Sequence, residues 1–303
     1  MWRKPLHNCA KAWHDTLAIY PVQKASHMTS SRTIIHSTRG RAHGPITRLM
    51  SPGDLGQLLK PFVFLDYIEA PAGGGPEFGF HPHSGIATLT FPLTFGIRHE
   101  VSTGQVDEVS PKGIEWLIAG GGIWHKANPL TAAAKDVMQG FQIWFALPAS
   151  HENGPSSTMF MDPQDVPQEG PVTLILGSYG ELRSRIPTPF DANYLWIELK
   201  DGESFDYQPP EGHMLAWAFS QTGQLLVSDH RLQREMVVFS EGEEAIHFKA
   251  QGDCGFLLGS AKKHPHDLVL GYYSVHTSEE ALALGESNIT KLGDGLRARG
   301  QIR

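Results

Sequence analysis

Cysteine is almost missing from this chain. Two residues, Cys9 and Cys254, stand among 303, which excludes a disulfide framework and suits a reduced compartment. Charge is sparse as well, at 19% of residues against 40% hydrophobic. That balance supplies apolar material for real cores and excludes global disorder. No apolar run reaches the roughly 18–20 residues of a membrane span, so no membrane partner is expected. The charge present has the wrong sign for a general nucleic-acid binder: the formal net charge is −7 and the pI about 6.1, with no basic stripe to engage phosphates. Direct nucleic-acid contact is therefore not expected, and a gene-regulatory role would run through a protein partner. Residues 1–27 carry Lys4, Lys11 and Lys24 but lack the apolar block of a secretory signal. They read as a disordered extension or as lead-in to a later start at Met28 ahead of the alternative of a targeting peptide, and the expected location is cytoplasmic.

What the chain has in quantity is glycine, 32 residues, and proline, 21. They cut it into short segments and favour turns and strands over long helices. Phe62–Ile68 is an apolar run long enough for a buried strand. Ala70–Glu77 reads as a surface loop, Ile97–Val101 alternates, Ile114–Ile118 is a strand, and Phe141–Leu147 alternates strongly, with Trp144 expected to pack between layers. Leu147–Pro171, rich in proline, is the natural linker. Beyond it, Val172–Leu176, Tyr194–Leu199, Ser204–Tyr207, Met214–Phe219, Gln224–Val227 and Glu235–Phe239 repeat the style of the first half. Short strands at near-regular spacing on both sides of a linker point to two β-barrels.

The chemistry concentrates in Gly79-Phe80-His81-Pro82-His83-Ser84-Gly85. Along a strand, His81 and His83 project from one side, and continued alternation puts Gly85, Ala87, Leu89 and Phe91 on that side too. Paired neutral imidazoles suit Fe, Ni, Cu or Zn. Two ligands do not suffice, and the third candidate is His125, preceded by Gly120-Gly121-Gly122, a run that lets backbone pass close to a site. His99 reads as a barrel-wall residue or a further pocket histidine.

Pro61-Phe62-Val63-Phe64-Leu65-Asp66, His81-Pro82-His83-Ser84-Gly85, Ala119-Gly120-Gly121-Gly122-Ile123-Trp124-His125 and Phe141-Gln142-Ile143-Trp144-Phe145-Ala146-Leu147-Pro148 resemble, in order and spacing, the motifs of the pirin family, from about Arg32 to His276. The resemblance implies an all-β fold of two cupin-type barrels, a bicupin. It also implies one divalent transition metal, Fe(2+), in the N-terminal barrel, held by His81, His83 and His125. For activity it implies either a metal-dependent dioxygenase of the quercetin 2,3-dioxygenase type, acting on a flavonol-like or enolic small molecule, or a non-catalytic metal or small-molecule sensor working through a protein partner. A barrel that has lost its metal and serves as an interaction module is the third reading. The family's glutamate two residues beyond the third histidine is here Ala127, and the glutamate common four residues after the second is Ala87. No catalytic residue is assigned, because Glu77, His99 and Glu115, the nearby substitutes for a base, read as surface or wall residues.

The expected organisation is a disordered extension over 1–31, an N-terminal barrel over 32–155, a C-terminal barrel over 165–288 and a disordered tail over 289–303. His213, His230, His247 and the His264-Pro265-His266 triplet read as structural or surface histidines. Thr277-Ser278-Glu279-Glu280 reads as a capping box opening a short helix that Gly285 closes.

Overall fold

The computed structural model describes residues 32–72, 75, 78–130 and 137–302. The expected extension over 1–31, Cys9 and Glu77 lie outside them. Three sheets carry the architecture. A four-stranded sheet runs in the order His81–His83, Ile123–Leu130, Gly96–Val101, Val106–Val109. It faces a seven-stranded sheet whose central strands are Ile86–Pro92, Val137–Ala146 and Phe62–Pro71, and the two enclose the N-terminal barrel. A nine-stranded sheet, built around Leu215–Val227 and Ile246–Ala261, forms the C-terminal barrel.

Alternation along these strands divides the apolar residues into layers with different contents. Phe62, Tyr67, Leu89, Phe91, Phe141 and Phe145 pack outward from the first barrel against Tyr194, Trp196, Trp217 and Phe219 of the second. The second barrel is filled from inside by Leu195, Phe205, Leu225, Phe248, Phe256 and their neighbours. The first barrel instead turns Arg48, Asp66, Thr90, Gln142 and Trp144 inward and keeps a cavity. The site follows from this asymmetry: one barrel is packed solid, the other is hollow and polar.

Several expectations need correction. Leu147–Pro171 is not a bare linker. Ser157–Met161 pairs with Ile114–Ile118 and extends the N-terminal sheet past residue 155. The first strand, Ile34–Thr38, pairs with Met236–Phe239 and so belongs to the C-terminal sheet. Met214–Phe219 and Gln224–Val227 are parts of one bulged strand, Leu215–Val227. The longest strand, Ile246–Ala261, was not foreseen because Lys249, Gln251, Asp253 and three glycines break its apolar pattern.

The C-terminal helix is long rather than short. It runs Glu279–Ala298, covering most of the segment expected to be disordered. Its cap is Ser278, whose hydroxyl accepts from the Ala281 amide at 3.1 Å. Thr277 instead donates its hydroxyl and its amide to Glu152, each at 2.7 Å. Leu282, Gly285, Ile289, Gly293 and Leu296 form one buried stripe at helical spacing. Gly285 does not stop the helix, because it sits mid-stripe where His276 and Ser84 press against it. Trp124 Nε1 donates to the Ile289 carbonyl at 2.7 Å, tying the helix to the first barrel. No helix among the described residues is long and apolar enough to cross a membrane.

A Cβ at Gly285 would meet Ser84 Oγ and His276 Nε2 at 2.5 Å, whereas Gly295 has only Arg299 Nη1 within range at 3.5 Å. Gly285→Ala is therefore expected to destabilise by about 1–3 kcal/mol through overpacking. Gly295→Ala is expected to stabilise by up to about 1 kcal/mol through helix propensity. Thermal denaturation of the two variants checks the opposite signs.

Candidate metal centre

His81 and His125 are direct partners across the antiparallel pair formed by His81–His83 and Ile123–Leu130, and His83 lies opposite Ile123. The strand geometry thus brings the three sequence-predicted histidines together, with ligand-capable atoms all within 4.8 Å of one another. His83 and His125 are buried and His81 partly so. Each ring is held through Nδ1. His81 Nδ1 meets the Gly79 carbonyl at 2.9 Å, His83 Nδ1 the Tyr273 carbonyl at 3.1 Å, and His125 Nδ1 the His99 Nε2 at 2.8 Å. A backbone carbonyl can only accept, so His81 and His83 carry their hydrogen on Nδ1 and present Nε2 as a lone pair. The Nε2 atoms of His83 and His125 are buried without a hydrogen-bond partner. Buried polar atoms are normally satisfied, and unpartnered nitrogens converging from neighbouring strands suit a cation that accepts imidazole.

Burial also sets the charge. Desolvation pushes the His83 imidazolium pKa down to about 3 and that of His125 well below its usual value, with the other site histidines adding to the effect. His81 is lowered for the same first reason. The rings are neutral at pH 7, the form in which imidazole ligates.

The alternation expected to continue from His83 to Phe91 does not. Ser84 and Gly85 break it, Gly85 at φ +76°, and pairing resumes at Ile86 with the faces exchanged. Ala87, Leu89 and Phe91 therefore enter the layer between the barrels, while Thr90 faces the cavity. Ala87, one of the two missing carboxylate positions, does not border the site. Ala127 does. A glycine inside a strand pattern is the signal that the period should have been restarted there. The run Gly120-Gly121-Gly122 serves a different purpose from the one expected: its α-carbons face Gly154, Asn153, Asn288 and Ile289, making room for the helix and the 151–154 turn.

His99 and Glu115, read as wall or surface residues, are buried to 1% and 0% exposure. His99 Nε2 lies 3.2 Å from Glu115 Oε1, and Thr90 Oγ1 donates to Glu115 Oε2 at 2.5 Å. Trp144 does not pack between layers. It lines the cavity, stacks on Phe64 at 4.0 Å and meets His83 edge-on at 4.8 Å. Arg48 lies over the other side of Phe64 and grips Asp66 through two hydrogen bonds, at 2.5 and 3.0 Å. The cavity holds about 650 Å³, with Phe78, Phe95, Met138, Tyr272 and Tyr273 among its apolar and aromatic walls. Away from it, His264 bonds the Leu147 carbonyl at 3.2 Å and His276 lies 2.9 Å from Ser84 Oγ, so both tie chain segments together.

The Pirin family model matches residues 44–145. A putative quercetin 2,3-dioxygenase of Vibrio cholerae is 28% identical over 211 residues, 66% of this chain and 74% of that protein. Pirin of Rattus norvegicus is 24% identical over 71% of this chain and 77% of its own length. Among solved structures, a quercetin 2,3-dioxygenase from Acinetobacter baumannii superposes with a TM-score of 0.78 at 23% identity, covering 87% of this chain and 99% of that one. The bacterial pirin YhhW of Escherichia coli, in complex with nickel(II), superposes with a TM-score of 0.58 at 19% identity over 74% of this chain and 94% of its own. At these identities the solved structures bear on the fold alone.

The metal-free protein should lose stability as pH falls below about 6.5. There the unfolded chain binds protons on these histidines, while the folded state keeps His83 neutral down to about 3. Each ring held neutral costs about 1.4 kcal/mol per pH unit in that window. Urea denaturation at pH 7.5 and 5.5 is expected to show the drop, reduced in His83→Gln.

Proposed function

This chain belongs to the pirin family, and on that premise we propose that its N-terminal barrel holds one divalent transition metal, iron(II), through Nε2 of His81, His83 and His125. The reading continues to a reaction: dioxygenation of a flat small molecule carrying an enol or flavonol oxygen. The observation that supports it most is the set of imidazoles held by Nδ1, two of them with buried, unpartnered Nε2 atoms facing a third ring. A bound iron would supply Lewis acidity and the one-electron chemistry that O₂ requires. The protein's part is to bind and orient. A cavity of about 650 Å³ falls in the range for small-molecule sites. The Phe64–Trp144 stack gives a flat ring a platform beside His83. Arg48, Thr90 and Gln142 offer hydrogen bonds from the opposite sheet.

One observation favours the second reading, a sensor that binds metal or small molecule and signals through a protein partner. A general base must lie within hydrogen-bond reach of the proton it takes. Among the described cavity-lining residues the one carboxylate is Asp66, and Arg48 clamps both of its oxygens.

Purified without an affinity tag of histidines, the protein is expected to carry close to one equivalent of transition metal by elemental analysis, and His83→Ala to lose it. Full metal content in that variant would place the site elsewhere. Oxygen uptake with a panel of flavonols and enols separates the two readings.

Ala127 lines the cavity on the strand that carries His125. Ala127→Glu is expected to add a ligand and tighten Fe(II). If the chain is an oxygenase, a carboxylate acting as base should raise its rate by about 10²–10⁴-fold. Tighter metal with no oxygen uptake would favour the sensor.

A further inference from the structure

A row of four side chains leads along the cavity wall away from the candidate metal centre. Trp144 meets His83 at 4.8 Å, Phe64 stacks on Trp144 at 4.0 Å, and Arg48 lies over Phe64 at 4.0 Å. All four line the cavity. Strand register builds the row, since Phe64 pairs with Trp144 and Arg48 with Asp66.

A guanidinium has two edges that can each hold a carboxylate by paired hydrogen bonds, Nε with Nη2 and Nη1 with Nη2. In Arg48 the first edge is filled. Nε donates to Asp66 Oδ1 at 2.5 Å and Nη2 to Asp66 Oδ2 at 3.0 Å. The second edge is open: Nη1 has no hydrogen-bond partner among the described residues, and the Arg48 side chain is 35% exposed against 7% for Asp66. A buried carboxylate thus fixes the guanidinium, and the free edge stays accessible on a cavity wall.

Charge points the same way. Among the described lining residues Arg48 and Asp66 are the charged pair, and they cancel. The three histidines are neutral and Ala127 supplies no carboxylate. A divalent ion held there would bring two uncompensated positive charges. A ligand with one ionised oxygen at the ion and a carboxylate further along balances both.

We propose that the cavity takes a planar enol or catechol bearing a carboxylate at its far end, and that Arg48 reads that carboxylate through Nη1 and Nη2. This rests on the three-histidine reading above and names a substrate class for it. Arg48 is then a specificity-determining residue, touching the ligand away from the reacting oxygen. Phe95, Ile97 and Met138 make the remaining wall apolar, which suits the ring. A neutral ligand of the same shape leaves the open edge unpaired and binds more weakly.

The test uses the full-length protein loaded with Zn(II), which has no redox chemistry of its own, and calorimetric titration with caffeate and with its methyl ester. The two probes share a catechol and differ in charge at the far end. The parent is expected to bind caffeate about 10- to 100-fold more tightly than the ester. In Arg48→Gln that ratio should fall to about one, through weaker caffeate binding. Because Arg48→Gln alone leaves Asp66 without its partner, the double variant Arg48→Gln, Asp66→Asn removes the whole ion pair and should lose the same discrimination. A merely structural Arg48 would weaken both probes alike.

Equal affinity of the parent for the two probes, or no saturable binding of either, would overturn the proposal. So would a caffeate preference that persists in the folded double variant. The metal centre is judged separately, by one equivalent of Zn(II) in the parent and its loss in His83→Ala, whatever the probes do. A preference that depends on Arg48 in a parent unable to bind Zn(II) would overturn the metal centre and keep the part assigned to Arg48.

Discussion

Among the glycines of the described residues, the tightest passage is that of Gly85 beneath the carbonyl of Val275, where a Cβ would come within 2.0 Å of that oxygen. No other residue type fits, and φ +76° points to the same choice. Two arrangements depend on this contact. It exchanges the faces of the strand, so that histidines enter the cavity while Ala87, Leu89 and Phe91 fill the layer between the barrels. It also brings in the segment that completes the site. The Val275 amide donates to the Ser84 carbonyl at 3.3 Å, Ser84 Oγ donates to Ser274 Oγ at 2.7 Å, and the Tyr273 carbonyl receives His83 Nδ1. The ring of His83 is thus aimed by backbone some 190 residues later.

The fold was largely legible because its logic is local. Glycine and proline mark the turns, and Phe62–Ile68, Ile114–Ile118 and Val172–Leu176 announce themselves by composition. What was hidden depends on partners distant in sequence. Ile246–Ala261 holds three strands in register through a polar, glycine-broken stretch. Gly285 and Gly293, stop signals by themselves, are places where the helix presses on His276 and Trp124.

In the candidate site, the histidines that cluster, His81, His83 and His125, were named from spacing and motif. Glu115 and His99 were not, because a charged residue in a strand is by default a solvent-facing one. Only the register, Thr90 opposite Glu115 and His99 opposite Ala127, turns both inward. The same register explains why the two barrels differ inside. One strand face of the first barrel carries Arg48, Asp66, Thr90, Gln142 and Trp144 around a void, whereas the corresponding space in the second is occupied by phenylalanine and leucine.

The ends of the described chain are exchanged between the halves. Ile34–Thr38 completes the second barrel, and Tyr272 to Ala298 completes the first. Each half therefore takes in a segment from the other end of the described chain. During synthesis the chain emerges from its N-terminus, so His81, His83 and His125 leave the ribosome long before Tyr273 and the helix that covers them. The cavity lacks part of its wall until Tyr272 and Tyr273 have been added. Over that interval His83 lacks the Tyr273 carbonyl that aims its ring, so the mutual geometry of the three imidazoles is a late product of synthesis.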